Sequence, residues 1–227
     1  VRNGWYWTGD LGYRDEAGFF YFGGRSADWL RVDSENFAAG PVENIVSRFP
    51  GVVMAAVYPV PDPTTGDMVM VAIEMNETTE FSPHEFDEFL SQQRDLGTKW
   101  SPQIVRVITA MPLTANNKVH KPPLRASKWF AADTHYWRSE RNQPLRLMNE
   151  SDKQELAARF AAKEAVSKAF GTGIGGTLTW KEIEVYHLEG GAPAVMLHGK
   201  AADFALERGV KRVWISLSHT DTMAIAQ

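Results

Sequence analysis

These 227 residues contain no cysteine. That excludes disulfides, cysteine-held zinc and a thiol nucleophile, and it is compatible with a cytoplasmic protein. There is no basic run either. Asp and Glu (28) outnumber Lys and Arg (24), giving a formal net charge of −4. The electrostatic footprint of a nucleic-acid or membrane-surface partner is therefore missing. No apolar run approaches the roughly 20 residues that cross a bilayer, so no transmembrane segment is expected. No signal peptide, internal repeat or low-complexity tract is visible. The first residue is Val1, not Met, and the expectation is a fragment whose N-terminus lies upstream.

What remains is ordinary for a globular chain, with apolar residues at 44% and charged ones at 23%. The length suits one large domain or two small ones. Glycine punctuation around GFFYFGGR (18–25) predicts part of a β-hairpin. Pro41 falls in the first turn of a short helix, PVENIVSRF. Val52–Pro59 and Asp67–Met75 read as strands across a turn at 61–66. Ser82, Pro83 and Glu85 form an N-terminal helix signature. Gln103–Thr109 reads as a strand, 111–121 as a loop and 122–130 as the start of a short helix. From Ala131 to Arg146 the chain is polar and aromatic without a clear period, and reads as an extended tail or linker. Asn149 or Ser151 caps a long helix running to Phe170, closed by Gly171. Strands are expected at 182–187, 194–197, 213–219 and 222–227, with a helix at 199–208. The mixture predicts an α+β architecture.

Three weak signals occur in order: YWTGDLG (6–12), GR at 24–25, and PLTANNKVHK (112–121). Singly, Asp10 is a turn cap, Arg25 a hairpin arginine and Lys118 a solvated surface lysine. Together, over roughly residues 4–130 and with SENFAAGPVENIV between them, they resemble the adenylate-forming superfamily. GRSADWLRVDSENFA is similar to the fatty-acid transport protein and long-chain acyl-CoA synthetase branch. The resemblance implies that 1–26 end a large ATP-binding lobe and that 27–130 form a small, mobile C-terminal lobe. It implies that Asp10 accepts hydrogen bonds from the nucleotide ribose and that Arg25 lies nearby. It implies that Lys118 offsets charge between the substrate carboxylate and the α-phosphate. The substrates implied are a fatty acid, ATP (leaving AMP) and coenzyme A. Departures from the pattern are Asn117 before the lysine, Ala27 with Asp28 at the hinge, and Ser34. Asn tolerates positive φ, so Asn117 is expected to keep the turn.

The second constellation begins on the long helix. Leu156, Phe160, Glu164 and Lys168 are spaced by four, a drift of about 40° per step. As an exposed pair, Glu164 and Lys168 would contribute roughly 0.2–0.5 kcal/mol. RFAAKEAVSKAFGTGIGG, WKEIEV (180–185), GGAPAVMLHGKA (190–201) and WISLSHTDTMAIA (214–226) together resemble holo-acyl-carrier-protein synthase, a 4′-phosphopantetheinyl transferase. That family moves 4′-phosphopantetheine from coenzyme A to a serine of an acyl carrier protein, with Mg²⁺. The resemblance implies Glu164 as a Mg²⁺ ligand and Lys168 as the catalytic phosphate-contacting lysine. It implies coenzyme A contacts at Lys163, Gly171, Gly173, Ser218 and His219. It also implies a possible homotrimer. The strand with a GxD element that opens this family does not precede the helix, which removes one metal ligand.

The expected layout is 1–26 large-lobe end, 27–130 small lobe, 131–155 linker and 156–227 partial transferase. ELAARFA finishes the first resemblance and opens the second, so the joint falls there. The competing readings are an acyl-activating fragment, a carrier-modifying transferase, and an inactive chimera. Little or no turnover of either kind is expected from this polypeptide alone.

Overall fold

The computed structural model describes residues 8–25, 28–33, 35–62, 66–173, 178, 182–219 and 224–226. Of the sequence features above, Ala27, Ser34, residues 174–177 and the side chains of Arg25 and His219 lie outside the described part. The chain divides into two compact units, 1–60 with 67–147, and 61–66 with 148–227. Each is α+β, as expected.

In the first unit, β1 (Asp10–Arg14) and β2 (Phe20–Arg25) form the expected hairpin. Its register shifts between Leu11 and Gly12. A Cβ at Gly12 would stand 2.8 Å from the Tyr21 carbonyl oxygen, so only glycine fits that approach. A seven-stranded sheet follows. It contains β3 (Trp29–Val32), β4 (Glu35–Ala38), β5 (Val52–Asp62), β6 (Gly66–Met75), β7 (Ile104–Ile108), β8 (Thr134–Trp137) and β9 (Arg146–Leu147). The order is β4-β3-β6-β7-β8-β9, with β5 also pairing with β6. Strands β6 and β7 are parallel, which requires a crossover. Helix α2 (Pro83–Ser91) lies within that crossover. Ser82 caps it by accepting the Glu85 N–H.

Helix α1 (Ala39–Val46) starts two residues before Pro41. It buries Val42, Ile45 and Val46 in a core with Val57, Val71, Ile73, Phe81 and Phe86. Helix α3 (Lys121–Ser127) follows a tight loop.

The stretch read as a tail or linker contains two strands. β8 pairs antiparallel with β7, and β9 with β8. His135 and Trp137 are buried on alternate positions, and Leu145 joins the core. Arg138 explains how a polar stretch is held. Its guanidinium donates to the carbonyls of Pro102 and Gln143 and to the Asp87 carboxylate, which also accepts the Leu145 N–H. Four alternating residues are too few to show a period in sequence.

In the second unit, α4 (Glu150–Ala169) is the central helix. Asn149 caps it in a reciprocal box with Asp152. At the other end, Gly171 N–H bonds to Lys168 O and Thr172 N–H to Ser167 O, with Gly171 at φ +71°. These bonds make a Schellman turn. Strands β10 (Ile183–His187) and β11 (Pro193–Leu197) pair antiparallel, as do β12 (Leu217–His219) and β13 (Ala224–Ala226). The expected strand at 213–219 is paired only over its last three residues, because 210–216 have no ladder partner among the described residues. Val213 packs instead against the core of Val166, Phe170, Leu178 and Ile183 with α5 (Gly199–Glu207). Arg208 donates to Phe170 O, satisfying a carbonyl at the end of α4.

Candidate functional site

Each unit carries its own candidate residues. In the first, β1 and β2 place the Cα of Asp10 directly opposite that of Arg25. The hairpin thereby brings together two residues fifteen positions apart in sequence. The Asp10 backbone N–H donates to Thr8 Oγ1 at 3.1 Å, which turns the TGD tripeptide into the strand.

Lys118 directly follows a three-residue hairpin loop, 115–117, and stands opposite Thr114. Asn117 N–H donates to Thr114 O at 2.9 Å, Thr114 N–H to Lys118 O at 2.8 Å, and Lys118 N–H to Thr114 Oγ1 at 3.2 Å. Leu113 and Val119 bridge below. Asn117 has φ +58°, the left-handed residue that closes this loop type. The expectation that Asn117 preserves the turn is met. The Lys118 side chain is exposed, as a group that meets its ligand from solvent requires.

In the second unit, Glu164 and Lys168 share one face of α4. The Lys168 ammonium lies 3.3 Å from Glu164 Oε2, with the two side chains 70% and 46% exposed. This is the exposed pair that helical spacing dictates, so by itself it stabilises little. A carboxylate and an ammonium on one open helix face nevertheless present both signs to a charged ligand. The Schellman turn leads directly from this face into Gly171 and Gly173, which both have positive φ and both leave open space where a Cβ would stand. Ser218 on β12 is exposed. His219 is paired with Ala224 through the backbone.

Lys163 is placed differently from its neighbours. It lies on the buried stripe of α4 with Leu156, Val166 and Ser167, only 3% exposed. Burial pushes its ammonium down to about 8, opposed by the carboxylates of Asp62 and Glu184 and assisted by Arg159. It does not share the open face of Glu164 and Lys168.

The fit to Mg²⁺ is incomplete. Among the described residues no three acidic or histidine side chains converge. Glu164 is one carboxylate, and its charged neighbour is an ammonium. Mg²⁺ takes one or two carboxylates with substrate phosphates and water, and among the described residues this face offers one, Glu164.

Sequence reading missed a cluster in the first unit formed by Asp28, Glu43, Lys121 and Arg125. The four-residue spacing of Lys121 and Arg125 was its one visible sign.

Two family models match the chain. Residues 41–118 match the AMP-binding enzyme C-terminal domain. Residues 118–226 match the 4′-phosphopantetheinyl transferase superfamily. A steroid-22-oyl-CoA synthetase of Rhodococcus jostii is 48% identical over 161 residues, 70% of this chain and 29% of that protein. A holo-[acyl-carrier-protein] synthase of Natranaerobius thermophilus is 47% identical over 88 residues, 39% of this chain and 70% of that protein. Among solved structures, an o-succinylbenzoate CoA synthetase from Bacillus subtilis, in complex with its acyl-adenylate intermediate, is 28% identical with a TM-score of 0.49. That match covers 59% of this chain and 26% of the other. The chain thus spans under a third of the synthetases that it matches. No helix among the described residues is long and apolar enough to cross a membrane.

Proposed function

We propose a function from one premise: over its C-terminal part this chain belongs to the holo-acyl-carrier-protein synthase family, and its N-terminal part is the C-terminal domain of an AMP-binding acyl-CoA synthetase. The chain is a fusion of these two pieces of coenzyme A chemistry. The observation that carries the reading of the second piece is the open face of α4, where Glu164 and Lys168 stand beside a glycine turn.

On that face Lys168 would contact a phosphate of coenzyme A, and the N–H groups around Gly171 and Gly173 would receive another. Ser218 and His219 would lie along the same ligand. The family reaction transfers phosphopantetheine. A carrier serine oxygen bonds to the phosphorus that bears the pantetheine arm, the bond from that phosphorus to the adenosine bisphosphate breaks, and the serine loses its proton. Lys168 would offset charge gathering on the phosphate oxygens. Mg²⁺, when bound, would add to that charge stabilisation, with Glu164 as the ligand this chain offers. Lys163, lying beneath the face, would act on the ligand only through the packing of α4. The partner would be an apo-acyl carrier protein, the location the cytoplasm and the assembly a homotrimer.

In the first unit, Asp10 would accept from the ribose hydroxyls with Arg25 beside it, and Lys118 would reach the carboxylate and α-phosphate of an acyl-adenylate. The class of acid is a lipid carboxylate, in keeping with the steroid-22-oyl relative. ATP, AMP and coenzyme A are the small-molecule ligands.

A metal set of one carboxylate, without the second ligand the family carries, leads to a split outcome. Coenzyme A should bind, shifting the amide resonances of Gly171 and Gly173, and Lys168→Ala should weaken that binding several-fold. Transfer to an apo-carrier should stay near background. Absence of any shift at the glycine turn at millimolar coenzyme A would sink the binding reading. Brisk transfer that Glu164→Ala abolishes would sink the incomplete metal set.

A further inference from the structure

Four charged side chains meet below the Lys118 hairpin. Lys121 opens α3 immediately after it. The Lys121 ammonium lies 2.7 Å from Glu43 Oε1 on α1 and 3.6 Å from Asp28 Oδ1. Arg125, one turn along α3, donates to the same Asp28 oxygen at 2.6 Å. Glu43 Oε1 also accepts the Val57 N–H of β5 at 2.8 Å. Two cations and two anions therefore balance, drawn from α1, α3 and the residue before β3, with one β5 amide. Lys121 is only 13% exposed. Pairs this sheltered are not the solvated kind that contributes nothing. Removing one member leaves its partners uncompensated.

The hairpin above has little else to hold it. Residues 113–118 are exposed. Its internal bonds, including His120 N–H to Pro112 O at 2.7 Å, shape the loop but do not aim it. Its entering strand is tied where Met111 N–H donates to Glu74 Oε2 at 2.7 Å. Its leaving strand runs directly into Lys121.

We propose that Lys121 is a positioning residue for Lys118. With Glu43, Asp28 and Arg125 it fastens the leaving strand of the hairpin to α1 and to the segment entering β3. Lys118 is then presented in one direction and is carried as one body with Asp28. The catalytic meaning of this rests on the reading of Lys118 given above, whereas the fastening itself does not.

The test uses the 227-residue chain with Lys121→Met, which keeps an unbranched stem and removes the charge, and Lys121→Arg, which keeps the charge. Amide hydrogen exchange is followed at Thr114, Lys118 and His120, together with the carbon relaxation of the Lys118 ε-methylene. In Lys121→Met, exchange at the hairpin should rise about tenfold and the ε-methylene should lose order, as loss of a sheltered ion pair by local opening implies. Amides of α1 and β5 should change less than about twofold, and Lys121→Arg should restore the hairpin. An unchanged hairpin, or an equal rise throughout the unit, would overturn the proposal. Should Lys121→Met fail to fold, Asp28→Asn carries the same readout with its shape kept. A longer synthetase with this domain that still forms adenylate as Lys118→Ala would refute the role of Lys118 and leave the exchange result untouched.

Discussion

Asn117 shows how much one backbone angle decides. At φ +58° it occupies a region that costs a β-branched residue about 1–2 kcal/mol. Asn117→Gly should be neutral, whereas Asn117→Val should destabilise the first unit by about 1 kcal/mol, read from its urea midpoint. Lys163 makes a pH prediction. Its folded pKa, about 8, lies below the ordinary lysine value. The unfolded chain therefore binds more protons between pH 8 and about 10.5, and stability due to this group rises with pH across that window. Below pH 8 its burial cost is fully present. Lys163→Met should lack that rise, and the Lys163 ε-carbon resonance of the native chain should titrate near pH 8. The Glu164–Lys168 pair behaves oppositely. It is exposed, so Glu164→Ala should change stability by less than about 0.5 kcal/mol. Any effect of that substitution on coenzyme A binding then reports the ligand and not unfolding.

Among the elements, α4 was the most legible. Its N-cap, length and terminal glycine are local signals, and Asn149→Ala should cost about 1 kcal/mol by removing the capping box. Strands β8 and β9 were not legible. Their cohesion comes from Arg138, which reaches back to Pro102 and Asp87, residues 36 and 51 positions away. No local pattern carries such a contact. Arg138→Ala should cost about 3 kcal/mol, because Asp87 and two carbonyls lose their donor in a sheltered place. A denaturant titration of the first unit would register it. Residues 213–216 erred the other way. Their apolar run of Val213, Trp214 and Ile215 suits a strand, but a strand needs a partner, and pairing is decided by distant chain.

The whole molecule reads as two proteins joined in one chain, and its physical division agrees with the two sets of motifs in part. The units separate near Met148, whereas the two family matches meet at Lys118, and ELAARFA, where the joint is expected from the motifs, lies within α4. The polypeptide should accordingly unfold by calorimetry in two transitions, with Arg138→Ala moving one and Asn149→Ala the other. A single transition shifted by both would contradict two cooperative units. The sequence by itself determined the two families, the α+β class, the caps of α2 and α4, the shared face of Glu164 and Lys168, and the loop that carries Lys118. All of these rest on residues within a few positions of one another, where covalent geometry sets the spacing. Only the tertiary structure decided that a polar aromatic tail completes a sheet, that Lys163 is buried while its neighbour Glu164 is not, and that Lys121 is clasped between Glu43 and Asp28. Those outcomes depend on which distant groups exclude water from each side chain, a quantity that exists only once the chain has packed.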